Sequence, residues 1–201
     1  KKTPLSEFKN LRKSGLIAIN LREGDELLKV KVTRGDADII IVSQEGNAIK
    51  FNEQDVRPMG RTASGVKSMN LRENDIAVCM DIAVDEEDLL VISENGFGKR
   101  TPLTEYKRQN RGGVGLITYK ISEKTGKVVG ATVCKPEDEL MLINTSGIAI
   151  RINVSDISVT SRSAMGVRLM RTSEEEKVVA IAKIAKTCLL YTSPSPRDYA
   201  A

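Results

Sequence analysis

The sequence predicts an all-β chain of stacked, propeller-like blades. Three observations carry this. The chain repeats at an interval of 50 to 51 residues, each interval holds short β-branched segments between charged or Gly-bearing turns, and 201 residues at 40% hydrophobic and 29% charged are the composition of a folded soluble chain.

The repeat is read from landmarks. Gly15-Leu16-Ile17, Gly65-Val66-Lys67, Gly115-Leu116-Ile117 and Gly166-Val167-Arg168 keep the interval, as do the turn glycines Gly46, Gly96 and Gly147, each closing an apolar run (Ile39 to Val42, Leu89 to Ile92, Leu140 to Ile143). Ile19 to Asp25 returns almost letter for letter as Met69 to Asp75. Alternate repeats are closer than neighbours, since Lys2 to Phe8 matches Arg100 to Tyr106 while Lys50-Phe51-Asn52 matches Arg151-Ile152-Asn153.

Taking Asn47 to Asn95 as the type unit, the predicted strands are Asn47 to Phe51, Gly65 to Leu71, Ile76 to Ala83 and Leu89 to Ser93. The separators are a long loop to Ser64, then Glu73-Asn74-Asp75, Asp85 to Asp88 and Glu94-Asn95-Gly96. In the last of these the Asn-Gly pair suits a tight hairpin with positive φ at both residues. A four-stranded sheet cannot bury both faces alone, so successive blades are expected to stack. The repeats fall at about 1–46, 47–96, 97–147 and 148–186. The tail, 187–201, has two X-Pro steps and none of the repeat's marks, and reads as foreign or disordered sequence. The opening Lys-Lys-Thr-Pro, without Met or an apolar leader, reads as the start of a fragment.

Composition excludes several chemistries. Histidine is absent, which removes Ser-His-Asp, Cys-His and His-based metal schemes. Cys79, Cys134 and Cys188 form no Cys-x-x-Cys pair, and the first two lie in apolar stretches as expected core thiols of a reducing cytoplasm. The longest apolar run is five residues, against the roughly 20 of a membrane-spanning helix. No Gly-x-x-x-x-Gly-Lys loop is present, so ATP is not expected to bind here. Tyr106, Tyr119 and the six methionines read as packing residues. With aromatics at 3% and no Trp, stacking on single strands is disfavoured.

Charge is segregated within every repeat. Lys1 to Lys13 holds five basic residues and one acid, Lys50 to Arg72 five and two, Lys99 to Arg111 five and one, and Arg151 to Arg171 four and one; the rest of the chain is net acidic. A structural period carries these segments to equivalent places, where they form a positive track suited to the phosphates of duplex DNA, which carries one charge per about 1.7 Å. Such contacts position a duplex without reading its bases. Candidate contacts are Arg12, Lys13, Arg61, Lys67, Lys99, Arg100, Arg162 and Arg168, together with the loop Lys107-Arg108-Gln109-Asn110-Arg111-Gly112-Gly113-Val114-Gly115. In that loop Gly112, Gly113 and Gly115 leave backbone N–H groups open, and Lys107, Arg108 and Arg111 add charge, making a phosphate cradle. Arg61, Arg111 and Arg162 all stand four residues before their repeat glycine.

The phrases Lys-Thr-Pro-Leu-Ser-Glu-Phe, Gly-Arg-Thr-Ala-Ser-Gly-Val-Lys and Gly-Lys-Arg-Thr-Pro resemble the C-terminal, DNA-wrapping domain of the bacterial DNA gyrase A protein over about Lys1 to Lys186. The resemblance implies a β-pinwheel, a propeller-like ring of about six blades with strands exchanged between neighbours. Here about four blades of four strands each would be present, the first incomplete and the ring open. The family's Gln-Arg-Arg-Gly-Gly-Lys-Gly box is matched by Gln109, Arg111, Gly112, Gly113 and Gly115, with Asn110 and Val114 replacing two basic residues, so the loop is a box-like echo.

By that resemblance the parent is an ATP-dependent type II topoisomerase, DNA gyrase, that introduces negative supercoils. Its partners are double-stranded DNA, and the gyrase B protein with the rest of the gyrase A protein in a heterotetramer, at the nucleoid in the cytoplasm and without a membrane. This piece would carry no catalytic residue, metal or cofactor, ATP and Mg2+ belonging to other parts. Competing readings are the equivalent domain of topoisomerase IV, which lacks the box, a kelch-type protein-binding propeller, and a small-molecule enzyme. Kelch units repeat at a similar interval but carry a Gly-Gly doublet and Trp in each blade.

Overall fold

The computed structural model describes residues 1–10 and 13–184. In chain order its strands are β1 (Asp38–Ser43), β2 (Asn47–Asn52), β3 (Ala77–Ala83), β4 (Asp88–Ser93), β5 (Phe97–Pro102), β6 (Leu116–Ile117), β7 (Val128–Cys134), β8 (Glu139–Asn144), β9 (Ala149–Asn153), β10 (Val167–Arg168) and β11 (Val178–Ile184). Among the described residues they form three antiparallel sheets, in the orders β3-β1-β2-β6, β10-β5-β4-β7 and β11-β8-β9.

Each sheet is built round a hairpin whose turn ends on glycine. In β1–β2, Ile41 faces Ile49 and Val42 faces Ala48, and the Gly46 N–H closes the turn on the Ser43 carbonyl at 3.0 Å. Gly46, Gly96 and Gly147 share a φ of 77°, whereas Asn95 does not have positive φ. The hairpin expected from Asn95-Gly96 is therefore a turn with a single left-handed residue, and the Asn95 amide instead donates to the carbonyls of Glu123 and Lys124, both at 3.1 Å. Among the described residues the non-glycine residue with positive φ is Asn74, at 60°, in the Glu73-Asn74-Asp75 turn.

The sheets draw strands from separated parts of the chain, which corrects the blade read from sequence. Of the four segments predicted within Asn47 to Asn95, the first and third lie in the first sheet and the fourth in the second. Gly65 to Leu71 forms no strand. Among its described residues the first repeat likewise adds no strand before β1; residues 13–34 are largely exposed, Leu28, Val30 and Val32 among them. The missing edge is supplied by exchange: β6 pairs with β2 through Asn47–Ile117 and Ala48–Leu116, and β10 pairs with β5 in the same way. The Gly46 carbonyl accepts from Thr118 N–H at 2.8 Å and Tyr119 N–H at 3.1 Å, and a Cβ on Gly46 would lie 2.5 Å from the Tyr119 carbonyl oxygen. Gly96 makes the same pair of bonds to Leu169 and Met170.

Stacking explains why the apolar runs do not alternate. On β4, Leu89 and Val91 enter the core shared with the first sheet, alongside Ile40, Val42, Phe97 and Tyr119. Leu90 and Ile92 enter the core shared with the third, alongside Leu140, Leu142 and Met170. All four are 0% exposed, and each contributes about 1.5–3 kcal/mol by leaving water. Cys79, Cys134, Tyr106 and Tyr119 are buried, as expected from sequence. Cys188 and the tail 187–201 lie outside the described residues.

Candidate nucleic-acid interface

The loops before Gly65, Gly115 and Gly166 are each stitched to the preceding repeat. Gln109 N–H donates to the Lys50 carbonyl on β2 at 2.8 Å, Thr160 N–H to the Arg100 carbonyl on β5 at 2.8 Å, and Met59 N–H to the Lys2 carbonyl at 2.8 Å. These three bonds occupy equivalent places, so residues 57–63, 107–113 and 158–164 run as equivalent loops.

Of the glycines in the box-like loop, Gly115 is required by close approach and Gly112 by its left-handed backbone, whereas Gly113 has room for a side-chain carbon. Gly112 and Gly115 have φ of 83° and 84°. A Cβ on Gly115 would run into the Ala48 carbonyl, and one on Gly113 would meet the Ile49 side chain at 3.7 Å. Gly112 N–H donates to the Ser68 carbonyl at 2.7 Å, and the Gly113 carbonyl accepts from Asn70 N–H at 2.8 Å. This brings the loop against Lys67, whose ammonium is exposed and donates to the Asn70 side-chain oxygen at 3.1 Å. The Gly112 N–H is thereby bonded within the chain, where the sequence predicts an open amide.

Arg61, Arg111 and Arg162 recur in geometry as they do in sequence. The Nη1 of Arg61 donates to the Ile17 carbonyl at 2.9 Å, that of Arg111 to the Lys67 carbonyl at 3.0 Å, and that of Arg162 to the Ile117 carbonyl at 3.3 Å. Arg111 also donates from Nε to the Asp55 carbonyl at 3.0 Å. Arg111 is exposed and the other two are half-buried. Lys13, Lys107 and Arg168 are exposed, Arg168 with its guanidinium 5.1 Å from the centre of the Phe97 ring, and Gln109 is half-buried.

Two members of the predicted set are corrected. Lys99 is 0% exposed, with its ammonium turned inward to the carbonyl of Ser161 at 2.6 Å and to that of Arg162. Burial pushes its pKa down to about 8, Glu105 opposing the fall and Arg162 adding to it. Arg100 is 7% exposed, pairs with Asp88 at 3.1 Å and donates to the Ile157 carbonyl at 2.8 Å. Both act beneath the loops. Arg108 is exposed but lies in a fork on Asp38, at 2.9 Å, so its charge is partly answered within the chain. Arg12 lies outside the described residues. Sequence reasoning missed the part played by Lys99, although a signal existed: Lys1 and Lys99 stand where the other repeats have Ile49 and Ile150, and the Lys1 ammonium also binds loop carbonyls, that of Gly60 at 2.9 Å.

A family model described as DNA gyrase C-terminal domain, beta-propeller, matches residues 1–34, 37–78, 87–135 and 138–185. Its second, third and fourth units begin just before the three hairpins, whereas the units read from the turn glycines divide β1 from β2 and β4 from β5. The DNA gyrase A protein of Clostridium acetobutylicum is 70% identical over 186 residues, which are 92% of this chain and 22% of that protein. That of Klebsiella oxytoca is 42% identical over the same share of the chain and 21% of its own length. The chain thus spans about a fifth of these relatives. A solved DNA gyrase A C-terminal domain superposes with a TM-score of 0.79 at 30% identity over 86% of this chain and 59% of that one. The C-terminal domain of a DNA topoisomerase IV gives 0.85 at 28% identity over 90% and 57%. Four consecutive matches to one model, exchanged strands in stacked sheets and 70% identity to a gyrase A protein agree, and the chain belongs to the family of the DNA gyrase A C-terminal domain.

Proposed function

We propose that this chain binds double-stranded DNA by its phosphates and bends it round the successive loops, as the wrapping domain of a gyrase A protein. The observation that carries this is the recurrence of loops 57–63, 107–113 and 158–164 in one geometry, bearing Arg61, Lys107, Arg111 and Arg162, with Lys67 and Arg168 close by in the chain. Bending 20–30 base pairs through 40–90° costs about 1–6 kcal/mol, which several charge-assisted phosphate contacts offset. The function follows from geometry: a duplex led round the loops crosses itself with a fixed sign, and strand passage by the rest of the enzyme turns that crossing into negative supercoils.

In this reading the chain is one part of an ATP-dependent isomerase. It works at the nucleoid in the cytoplasm, with the remainder of the gyrase A protein and with the gyrase B protein, and ATP and Mg2+ are handled by other parts. A role in topoisomerase IV is the second reading, favoured by the TM-score of 0.85. The 70% identity to a gyrase A protein and the box-like residues Gln109, Arg111, Gly112, Gly113 and Gly115 weigh for gyrase. The kelch-type reading is replaced by the family assignment.

The test is a salt titration of binding to random-sequence duplex, followed by ligation of a nicked circle with the protein bound. Lys67→Ala, Lys107→Ala and Arg168→Ala should each lower the log-log salt slope by about 1, with little sequence preference. Ligated circles should carry supercoils of one sign. Unchanged slopes in all three variants, or circles closed without supercoils, overturn the proposal.

A further inference from the structure

Each track arginine stands on a loop bonded to the preceding repeat and donates to a second segment of that same repeat. The loop of Arg162 is stitched to β5 of the second sheet, through Thr160 N–H and the Arg100 carbonyl at 2.8 Å, while Arg162 Nη1 donates to the carbonyl of Ile117 on β6, the exchanged edge of the first sheet. The loop of Arg111 is stitched to β2 of the first sheet, and Arg111 Nη1 donates to the carbonyl of Lys67, the residue equivalent to Ile117 one repeat earlier. Arg61, on the loop bonded to Lys2, donates to the carbonyl of Ile17, equivalent again. The bonds span 44, 44 and 45 residues, so one contact is made three times between successive repeats.

A guanidinium has five N–H donors in a rigid fork. Arg111 commits two of them to the Asp55 and Lys67 carbonyls and is exposed, leaving three for an anion, whereas Arg61 and Arg162 each commit one to the repeat before. A lysine there would keep the charge but could not hold a carbonyl and present a planar edge together.

We infer that Arg61, Arg111 and Arg162 are positioning residues that tie successive repeats through main-chain carbonyls while offering their remaining N–H groups to DNA phosphates, so that the angle between repeats sets the angle of the bend. This rests on the phosphate-binding function proposed above. In the bound state one group closes both contacts, and a duplex that bends must hold the repeats at the angle the carbonyls dictate.

The experiment compares the unsubstituted protein with Arg61→Lys, Arg111→Lys and Arg162→Lys, singly and together, by two readouts on one end-labelled duplex: the log-log salt slope of binding, and the bend from energy transfer between the duplex ends. Thermal melts of each variant fix a temperature at which all are folded. The triple Lys variant should keep the slope, because the charge is kept, and lose more than half of the bend-dependent energy transfer. A merely structural role would lower the melting temperature and leave the bend of the folded variant unchanged, which overturns the inference. A triple Ala variant whose slope is unchanged shows that these arginines do not touch phosphate and also overturns it. No binding by the unsubstituted protein overturns the phosphate-binding function itself, and the inference with it.

Discussion

The ammonium of Lys99 lies 2.6 Å from the carbonyl oxygen of Ser161, under a loop on which Arg162 stands. A charge expected at the surface is fully buried, and its seat lowers its pKa to about 8 because water is excluded. In the unfolded chain this lysine returns to its ordinary value of 10.5. Between the two values the unfolded state holds the extra proton, so the Lys99 contribution makes the fold more stable as pH rises from about 8 toward 10.5. Lys99→Met should remove this rise, seen as the urea midpoint of the unsubstituted protein gaining on that of the variant as pH rises across that range. Parallel midpoints refute it.

Glycine at 115 answers a steric demand as well as a dihedral one. Gly147→Ala meets open space at a φ of 77° and should cost about 1–2 kcal/mol from the left-handed backbone alone. Gly115→Ala, at 84° and against the Ala48 carbonyl, should cost on the order of 3 kcal/mol or more, because β2 or the loop has to move. Urea denaturation of the two variants decides it, and equal costs contradict the clash.

The thiol pKa values of Cys79 and Cys134 are pushed up to about 12, first by burial and then by Asp81 and Asp88 respectively. Thiolate is the reactive form, so neither should react with a thiol reagent at neutral pH while the protein is folded. In a Cys188→Ser background, labelling should begin only in denaturant and reach both sites. Rapid labelling of the native protein contradicts the burial.

Asp38 holds the Arg108 guanidinium at 2.9 Å and also accepts from the Asn52 amide at 2.8 Å. Asp38→Asn should release Arg108 toward DNA, tightening binding and raising the log-log salt slope by about 1. An unchanged slope in the same titration shows that Arg108 faces away from the duplex.

The repeat could be read because its landmarks are local demands. Gly46, Gly96 and Gly147 keep one φ in three turns, and Leu89 to Ile92 is apolar throughout because both of its faces are covered. The partner of each strand could not be read. Leu116–Ile117 and Val167–Arg168 are two residues long, too short to show any periodicity, and their pairing with β2 and β5 is fixed by contacts about 70 residues away. The basic track was legible as composition, but Lys99 and Lys107 look alike as letters, and only the loop lying over Lys99 distinguishes them. The same holds for Arg108, whose counter-ion Asp38 is 70 residues distant.

Exchange of β6 and β10 also restricts how such an array can change length. Excising an internal stretch takes the edge strand from an upstream hairpin, which regains one only if the equivalent strand of the next repeat arrives in the same register. Internal losses are thereby held to whole repeats, because any other length brings the incoming edge to the hairpin out of step.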